Sequence, residues 1–191
     1  GVHGKALMPA CADYGMMKKG FFSDLSARPT DTEEFGLTNA LFAAMNPLAQ
    51  VWGWHSYKKD LEEQMTTLLS SYALTSDGLN SQPNTSFLIH IPVSSGFTFK
   101  NNHNIVPGKA YIPEKKIYLA FIQSDGMSIG AWFEPGRGSI PYAYEVTMKF
   151  FELSPVLLEY YYATATPNDF FIGSLSGSSY MYPKAFPKKW L

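Results

Sequence analysis

Acidic side chains stand at or near the ends of three apolar stretches, where a catalytic carboxylate could be held. Asp125 is the leading candidate, because it follows the apolar run Ile117–Ile122 and precedes a glycine that allows a sharp turn. Glu145 and Asp24 are the second candidates, although a carboxylate in either place also suits a structural ion pair. Two carboxylates that face one another would provide a general acid and a general base or nucleophile. The alternative for Asp125 is a role in turn formation alone.

An aromatic and hydroxyl-rich segment follows the apolar run Phe170–Ile172. The segment, Gly173–Pro183, combines glycines, serines and two tyrosines that are one residue apart. Ser176 could form hydrogen bonds, while Tyr180 and Tyr182 could offer both ring faces and phenolic hydroxyls. This mixture suits a neutral, hydroxyl-rich ligand, so all three side chains are candidates for substrate binding. The alternative is a tyrosine pair that only locks the loop.

Three further residues are candidates for ligand contacts. Trp54 and His55 follow a short apolar stretch, and a tryptophan at a pocket rim could stack on the C–H groups of a sugar. Asn84 begins a later apolar stretch and heads a triplet of the kind that accepts N-linked glycans. The chain lacks the spacings of zinc ligands, phosphate-binding loops and dinucleotide-binding glycines, so we predict neither a metal site nor a cofactor.

The composition is that of a folded chain without a strong charge bias. The 191 residues include 46% apolar and 16% aromatic residues, which is enough for a sizeable core. The net charge is -1 and the 15 basic residues are scattered, which argues against nucleic acid as a partner. No apolar run reaches the length of about 18 residues that a membrane-spanning helix needs. Cys11 is the single cysteine, so no disulfide can form within the chain.

Apolar runs alternate with helical patterns, as they do in parallel α/β folds. Helices are predicted from Asp31, over Lys58–Tyr72, and from Ser154 to about Thr164, because these stretches carry helix caps or helical spacing. Strands are predicted at six places: Lys18–Leu25, Ala49–Trp54, Asn84–Pro92, Ile117–Ile122, Ile140–Val146 and Phe170–Ile172. The run Ile117–Ile122 is the clearest of them, since a continuous apolar run is typical of a buried parallel strand.

This alternation predicts an α/β fold, namely a TIM-barrel-like (β/α) barrel domain that is incomplete, with an open doubly wound sheet as the alternative. Residues 12–191 would form this single domain. Residues 1–11 would lead in from a missing N-terminal region, because the chain lacks an initiator methionine. Both folds gather functional side chains at the carboxyl ends of their strands, so we expect the candidate residues to converge on a common rim.

The segment Gly177–Pro183 resembles the signature that gives the GxGYxYP family of bacterial glycoside hydrolases its name. The similarity includes the preceding run Ala163–Phe171 and extends over most of the chain. Other segments follow in the family's order: Asp13-Tyr14, Phe21–Leu25, Val51–Trp54, Ser124-Asp125-Gly126 and Leu153-Ser154-Pro155. The sequence departs from the pattern in two places. Ser179 replaces the second glycine, and Met127-Ser128 stand where a second acid and an asparagine often follow.

The resemblance implies a glycoside hydrolase or other carbohydrate-processing domain that acts on a polysaccharide or oligosaccharide. Asp125 and one of Glu145 and Asp24 would then flank the scissile bond, one as the acid and the other as the base or nucleophile. The alternative is a non-catalytic carbohydrate-binding or structural domain, which needs no paired acids. The resemblance also implies a bacterial protein in the periplasm or outside the cell. Its partners would be a carbohydrate ligand and the remainder of a longer parent polypeptide.

Overall fold

A computed structural model describes residues 9–53, 62–77, 84–101, 106, 108–123, 130–147, 149–173 and 180–191. The α-helices are α1 (Pro9–Met17), α2 (Thr32–Ala44), α3 (Glu62–Ser71), α4 (Thr85–Leu88), α5 (Phe150–Leu153) and α6 (Pro155–Ala163). The strands are β1 (Gln50–Trp52), β2 (Thr75–Asp77), β3 (Ile122–Gln123), β4 (Tyr142–Val146) and β5 (Asp169–Gly173). Short 3-10 helices cover Gly130–Phe133 and Lys188–Trp190.

The strands of the described residues form two small parallel sheets. One sheet pairs β1 with β2, and the other has the order β3-β4-β5. β4 and β5 pair along their whole length, whereas β3 adds a short edge of two residues. An antiparallel bridge between Ser76 and Tyr180 ties the chain after β5 to β2. Within each sheet, therefore, the carboxyl ends of neighbouring strands lie side by side.

The prediction of a (β/α) barrel is wrong. The described residues have a mixed α/β architecture, and no closed barrel is present among them. Barrel closure requires a continuous row of tilted strands, each paired on both sides. Here the described strands are only two to five residues long and are divided between two sheets. The expected closed rim is therefore replaced by the carboxyl edges of two short sheets.

Two predicted strands are absent from the described residues. The stretch Lys18–Leu25 is irregular, and Gly20 N donates to Gly15 O at 2.7 Å. The stretch Asn84–Pro92 contains the helix α4 instead. The Asp13 carboxylate caps this helix from α1, accepting hydrogen bonds from Thr85 Oγ1 at 2.8 Å and from the Ser86 backbone at 2.7 Å. A cap supplied by a distant segment leaves no local sequence signal.

The apolar run Ile117–Ile122 was predicted to be a buried strand, and this prediction is wrong for most of the run. Only Ile122 belongs to β3, and the residues before it lie in extended or irregular chain on the surface. Ile117 is 96% exposed. The run lies at the edge of its sheet, where β3 has a neighbour in β4 alone among the described strands. An apolar run can therefore lie on the surface when it stands at the edge of a small sheet.

The buried apolar side chains form two principal clusters. One packs β4, β5, α5 and α6 together around Phe150, with Trp132, Tyr144, Leu158 and Phe171. The other joins α2, α3 and β1 through the residues Phe42, Val51, Met65, Leu69 and Leu74. Each cluster thus packs one of the two sheets against helices. Helices and sheets bury their apolar faces by packing against one another in this way.

A buried ion pair fixes the beginning of β5. Asp169 is fully buried, and its carboxylate accepts a hydrogen bond from the Arg137 guanidinium at 2.5 Å and from Thr166 N at 2.8 Å. The guanidinium also lies 4.2 Å from the centroid of the Trp132 ring. Burial raises the pKa of Tyr144 to about 12, and the negative charge of Asp169 adds to the effect. A carboxylate in this place is stabilised because its charge is paired and hydrogen-bonded.

We expect Leu69→Ala to lower the free energy of unfolding by about 2–5 kcal/mol, because it leaves a cavity in a fully buried site. Urea unfolding followed by circular dichroism measures the change. Leu37→Ala is the matched control on an exposed position of α2, and it should alter the free energy by less than about 0.5 kcal/mol. Similar losses in both variants would contradict the assignment of this core.

Candidate functional site

The sheet β3-β4-β5 has one face in the core and one face that is only half-covered. Tyr144 and Val146 of β4 point into the core cluster, so the alternating residues lie on the other face. We call this second face the open face; it carries Ile122, Ala143, Glu145, Phe170 and Ile172. Its β4 and β5 members are partly exposed, and Ile122 is more than half exposed. The open face is thus an apolar surface with a single carboxylate.

Glu145 stands near the carboxyl end of β4, directly beside Ile172 of β5. Its Oε2 atom is buried and has no hydrogen-bond partner among the described residues. A buried carboxylate oxygen without a partner loses its hydration and is costly, so such an atom calls for an explanation. A hydroxyl donor from a ligand would provide one.

Asp24 occupies a different part of the fold, in the irregular chain before α2. Its side chain is half-buried. The chain that follows is fastened to the first turns of α2, since Ser26 N donates to Glu34 Oε2 at 2.8 Å and Ser26 Oγ donates to Asp31 Oδ2 at 2.7 Å. The structure therefore places Asp24 in the half of the chain that contains β1 and β2, and Glu145 in the half that contains β3, β4 and β5.

The two signature tyrosines contact the N-terminal half of the chain. Tyr180 exchanges backbone hydrogen bonds with Ser76 at 2.9 and 2.7 Å, and its ring packs against a cluster around Tyr14 and Leu153. Tyr182 N donates to Ser70 Oγ of α3 at 2.9 Å. Burial raises the pKa of Tyr182, and the carboxylates of Glu62 and Glu63 raise it further. These are the contacts that the loop-locking alternative predicts, and a role in ligand binding stays a prediction.

Asn84 serves as a turn residue at the start of α4. Its backbone is left-handed, with φ of 63°, a conformation that asparagine tolerates better than most residues. Its backbone carbonyl oxygen accepts hydrogen bonds from Phe87 N and Leu88 N. The side chain is exposed, and a substrate contact through it stays a prediction.

Four predicted site residues lie outside the described residues: Trp54, His55, Asp125 and Ser176. Their places in the sequence relate them to described strands. Asp125 comes two residues after β3, and Trp54 comes two residues after β1. Ser176 follows the carboxyl end of β5 by three residues. The expectation of a common rim for all the candidates stays a prediction.

A cluster at the junction of the two halves was missed by sequence reasoning. Tyr14 of α1 donates a hydrogen bond to Glu152 Oε1 of α5 at 3.0 Å, and its ring centroid lies 5.4 Å from that of Trp52. Burial raises the pKa of Tyr14 to about 12, and the Glu152 carboxylate contributes through the hydrogen bond and its charge. The partners are 138 residues apart, so no local pattern could reveal the pair.

The described residues show neither a metal-binding cluster nor a membrane-crossing helix. No group of three or more histidine, cysteine, aspartate or glutamate side chains in these ranges could hold a metal ion. The helices in the same ranges are all too short or too polar to cross a membrane.

Comparisons with known proteins relate both halves of the chain to one family. Residues 115–191 match the family described as "GxGYxYP putative glycoside hydrolase C-terminal domain", and residues 2–90 match "GxGYxYP third domain". A solved structure, described as a putative hydrolase from Bacteroides thetaiotaomicron VPI-5482, has a similar fold with a TM-score of 0.75 at 23% identity. The match covers 93% of this chain and 34% of that one, so the chain spans about a third of its length. A search of curated proteins found no match.

We expect the stability of the protein to fall as the pH rises from about 10 to about 12. The raised pKa of Tyr14 means that the folded state favours the neutral phenol. The neutral phenol therefore stabilises the fold fully at a pH below 10.0, the pKa in the unfolded chain, and this stabilisation is lost as the pH rises to about 12, the pKa in the folded chain. Tyr14→Phe should reduce this alkaline loss, while removal of the hydrogen bond lowers stability by about 1–2 kcal/mol at pH 7. Urea unfolding at pH 8, 10 and 11.5 measures both effects.

The matched control is Tyr118→Phe, whose ring is 63% exposed. It should leave the alkaline loss of stability as it is in the unmodified chain. An unchanged pH dependence in Tyr14→Phe would show that the junction phenol does not titrate as its surroundings imply.

Proposed function

We propose that this chain, which belongs to the GxGYxYP family, contributes the carboxylates of a glycoside hydrolase that acts on an oligosaccharide or polysaccharide. The membership confirms the resemblance first indicated by the segment that ends in Tyr180 and Tyr182. The family description and the hydrolase description of the similar structure support the class of reaction. The sugar and the roles of individual residues rest on the physical argument that follows.

The observation that carries the proposal is the environment of Glu145. Its buried Oε2 lacks a hydrogen-bond partner among the described residues, and its neighbours Ala143, Phe170 and Ile172 are apolar. A general acid donates its proton to the glycosidic oxygen of the leaving group in the transition state. A glycosidic oxygen that received the proton would also provide the missing partner.

The second carboxylate of the proposal is Asp125. It follows β3 in the sequence, and β3 and β4 end at the same edge of their sheet, so in this proposal Asp125 would lie at that edge, near Glu145. Asp125 would act as the base or nucleophile. A separation of about 5 Å between the carboxyl groups would give retention of configuration, and about 6.5–9.5 Å would give inversion. Asp24 lies in the other half of the chain, and in this proposal Asp125 takes precedence over it.

The proposed substrate is a neutral carbohydrate, because hydroxyl-rich ligands combine stacking on aromatic rings with many modest hydrogen bonds. Trp54, His55 and Ser176 follow strand ends and would provide such contacts. We further propose that the protein functions in the periplasm or outside the cell, where polysaccharide substrates are found. The remainder of a longer polypeptide would complete the binding site, since the similar structure is about three times as long as the matched region.

Glu145→Gln tests the proposal, because it preserves the size of the side chain and removes its proton. We expect turnover of the responsive sugar to fall by about 10²–10⁴-fold, the usual contribution of a general acid. Asp125→Asn should cause a comparable loss. Hydrolysis of a panel of oligosaccharides, followed by mass spectrometry of the products, measures turnover, and calorimetry measures binding of the same sugars.

Glu134→Gln is the matched control, since Glu134 is an exposed acid that belongs to none of the described strands. It should leave turnover unchanged. Turnover that survives both Glu145→Gln and Asp125→Asn would refute the assigned roles. Saturable sugar binding without hydrolysis by the unmodified chain would favour the alternative of a carbohydrate-binding domain.

A further inference from the structure

We propose that a pocket between α2 and β1 binds a neutral, mainly apolar small molecule that contains an aromatic ring. The pocket, here the α2–β1 pocket, lies between the inner side of α2, the strand β1 and the loop Gly20–Ser23. Its volume is about 480 Å³. Pockets for small organic ligands are usually about 300–1,000 Å³, so the space suits a molecule of one or two fused rings with room to spare.

The walls of the pocket are held in place without a ligand. Phe42 and Met65 line it and also belong to the buried cluster that packs α2 on α3. The hydroxyl of Thr38, another wall residue, has one hydrogen, which is shared between Ser26 O at 2.8 Å and Glu34 O at 3.0 Å from Oγ1. A pre-formed pocket binds a ligand without an added cost for ordering its walls.

The charge of the lining selects the class of ligand. Among the described residues that line the α2–β1 pocket there is no lysine, arginine, histidine, aspartate or glutamate, and the polar side chains among them are those of Ser23, Thr38 and Gln50. A charged ligand would give up its hydration here without an opposite charge to pair with, which is costly. An uncharged molecule with one or two hydroxyl groups would instead form hydrogen bonds with the hydroxyl and amide groups of these side chains.

Aromatic side chains favour a flat ring as the ligand. Phe21, Phe22 and Trp52 all contribute to the lining, and Phe21 is 79% exposed although it is large and apolar. The Phe22 ring packs so closely on Gly15 that a Cβ atom at position 15 would lie 2.8 Å from Phe22 Cζ. Ring pairs in offset or edge-to-face geometry gain about 0.5–1.5 kcal/mol beyond the burial of their area.

The α2–β1 pocket is separate from the proposed carboxylate site. No residue of the sheet β3-β4-β5, and so neither Glu145 nor its neighbours on the open face, lines it. The inference therefore does not rest on the proposed hydrolase activity, and each can fail alone.

The test uses 2-naphthol, which is neutral at pH 7, and 2-naphthoate, which has a similar ring system and one negative charge. Calorimetric titration of the 191-residue chain should show saturable binding of 2-naphthol. We expect 2-naphthoate to bind at least about tenfold more weakly, because its carboxylate would be desolvated without a cationic partner.

Variants that fill the pocket locate the binding. Ala44→Phe adds a ring at an exposed lining residue, so it should not disturb the core, and Leu41→Phe enlarges a half-buried one. Both should weaken 2-naphthol binding by about fivefold or more through loss of space. The control is Leu37→Phe, the same substitution on α2 at a residue that does not line the pocket, and its affinity should be unchanged.

Thermal unfolding shows whether each variant is folded. If Leu41→Phe is not folded, the result for Ala44→Phe decides the test. Absence of saturable 2-naphthol binding would overturn the proposal. Unchanged affinity in Ala44→Phe would place the binding elsewhere and overturn it as well. Equal affinity for 2-naphthoate would refute the selection for neutral ligands.

Discussion

The fold depends on the junction between its two halves, where Ser76 of β2 and Tyr180 exchange backbone hydrogen bonds. Ser76 is fully buried, so its backbone groups would be costly to leave unpaired, and Tyr180 is the residue that pairs them. The Tyr180 ring then packs with Tyr14 and Leu153, which come from opposite halves of the chain. The two halves match different domains of one family, so the signature segment holds those two regions together in addition to any role that it has in binding.

Contacts in both halves of the chain help to position the two surfaces on which the functional proposals rest. Trp52 packs at the junction on one side and lines the α2–β1 pocket as well. In the other half, the buried pair of Asp169 and Arg137 fixes the start of β5 and so the register of β5 against β4. That register places Ile172 beside Glu145 and keeps the carboxylate among apolar side chains. Packing and ion pairing away from the carboxylate thus determine its surroundings.

Local sequence signals predicted the positions of several elements. The helix after Asp31 and the helix at Pro155 begin where the sequence predicted, although neither Asp31 nor Ser154 makes a side-chain capping hydrogen bond among the described residues, and β4 and β5 fall within or beside the predicted apolar runs. The errors arose where distant contacts decide. Asp13 turns the run after Asn84 into a helix, and the short sheets remove the basis for a barrel. Of the candidate site, the sequence predicted Glu145 as an acid near a strand end, but only the strand register reveals its apolar neighbours.

The exposed run before β3 shows how the chain limits the cost of an incomplete sheet. Parallel strands are usually apolar on both sides and covered on both sides, whereas Ile117 and Leu119 lie on the surface. An exposed apolar edge invites pairing with other chains, and natural proteins oppose this with charged side chains near the edge. Glu114, Lys115 and Lys116 directly precede the run and are all exposed. Among the described residues β3 has only two residues, so this part of the edge offers few unpaired backbone groups to a second chain. The edge therefore combines apolar side chains suited to a covering partner with charges that disfavour indiscriminate pairing.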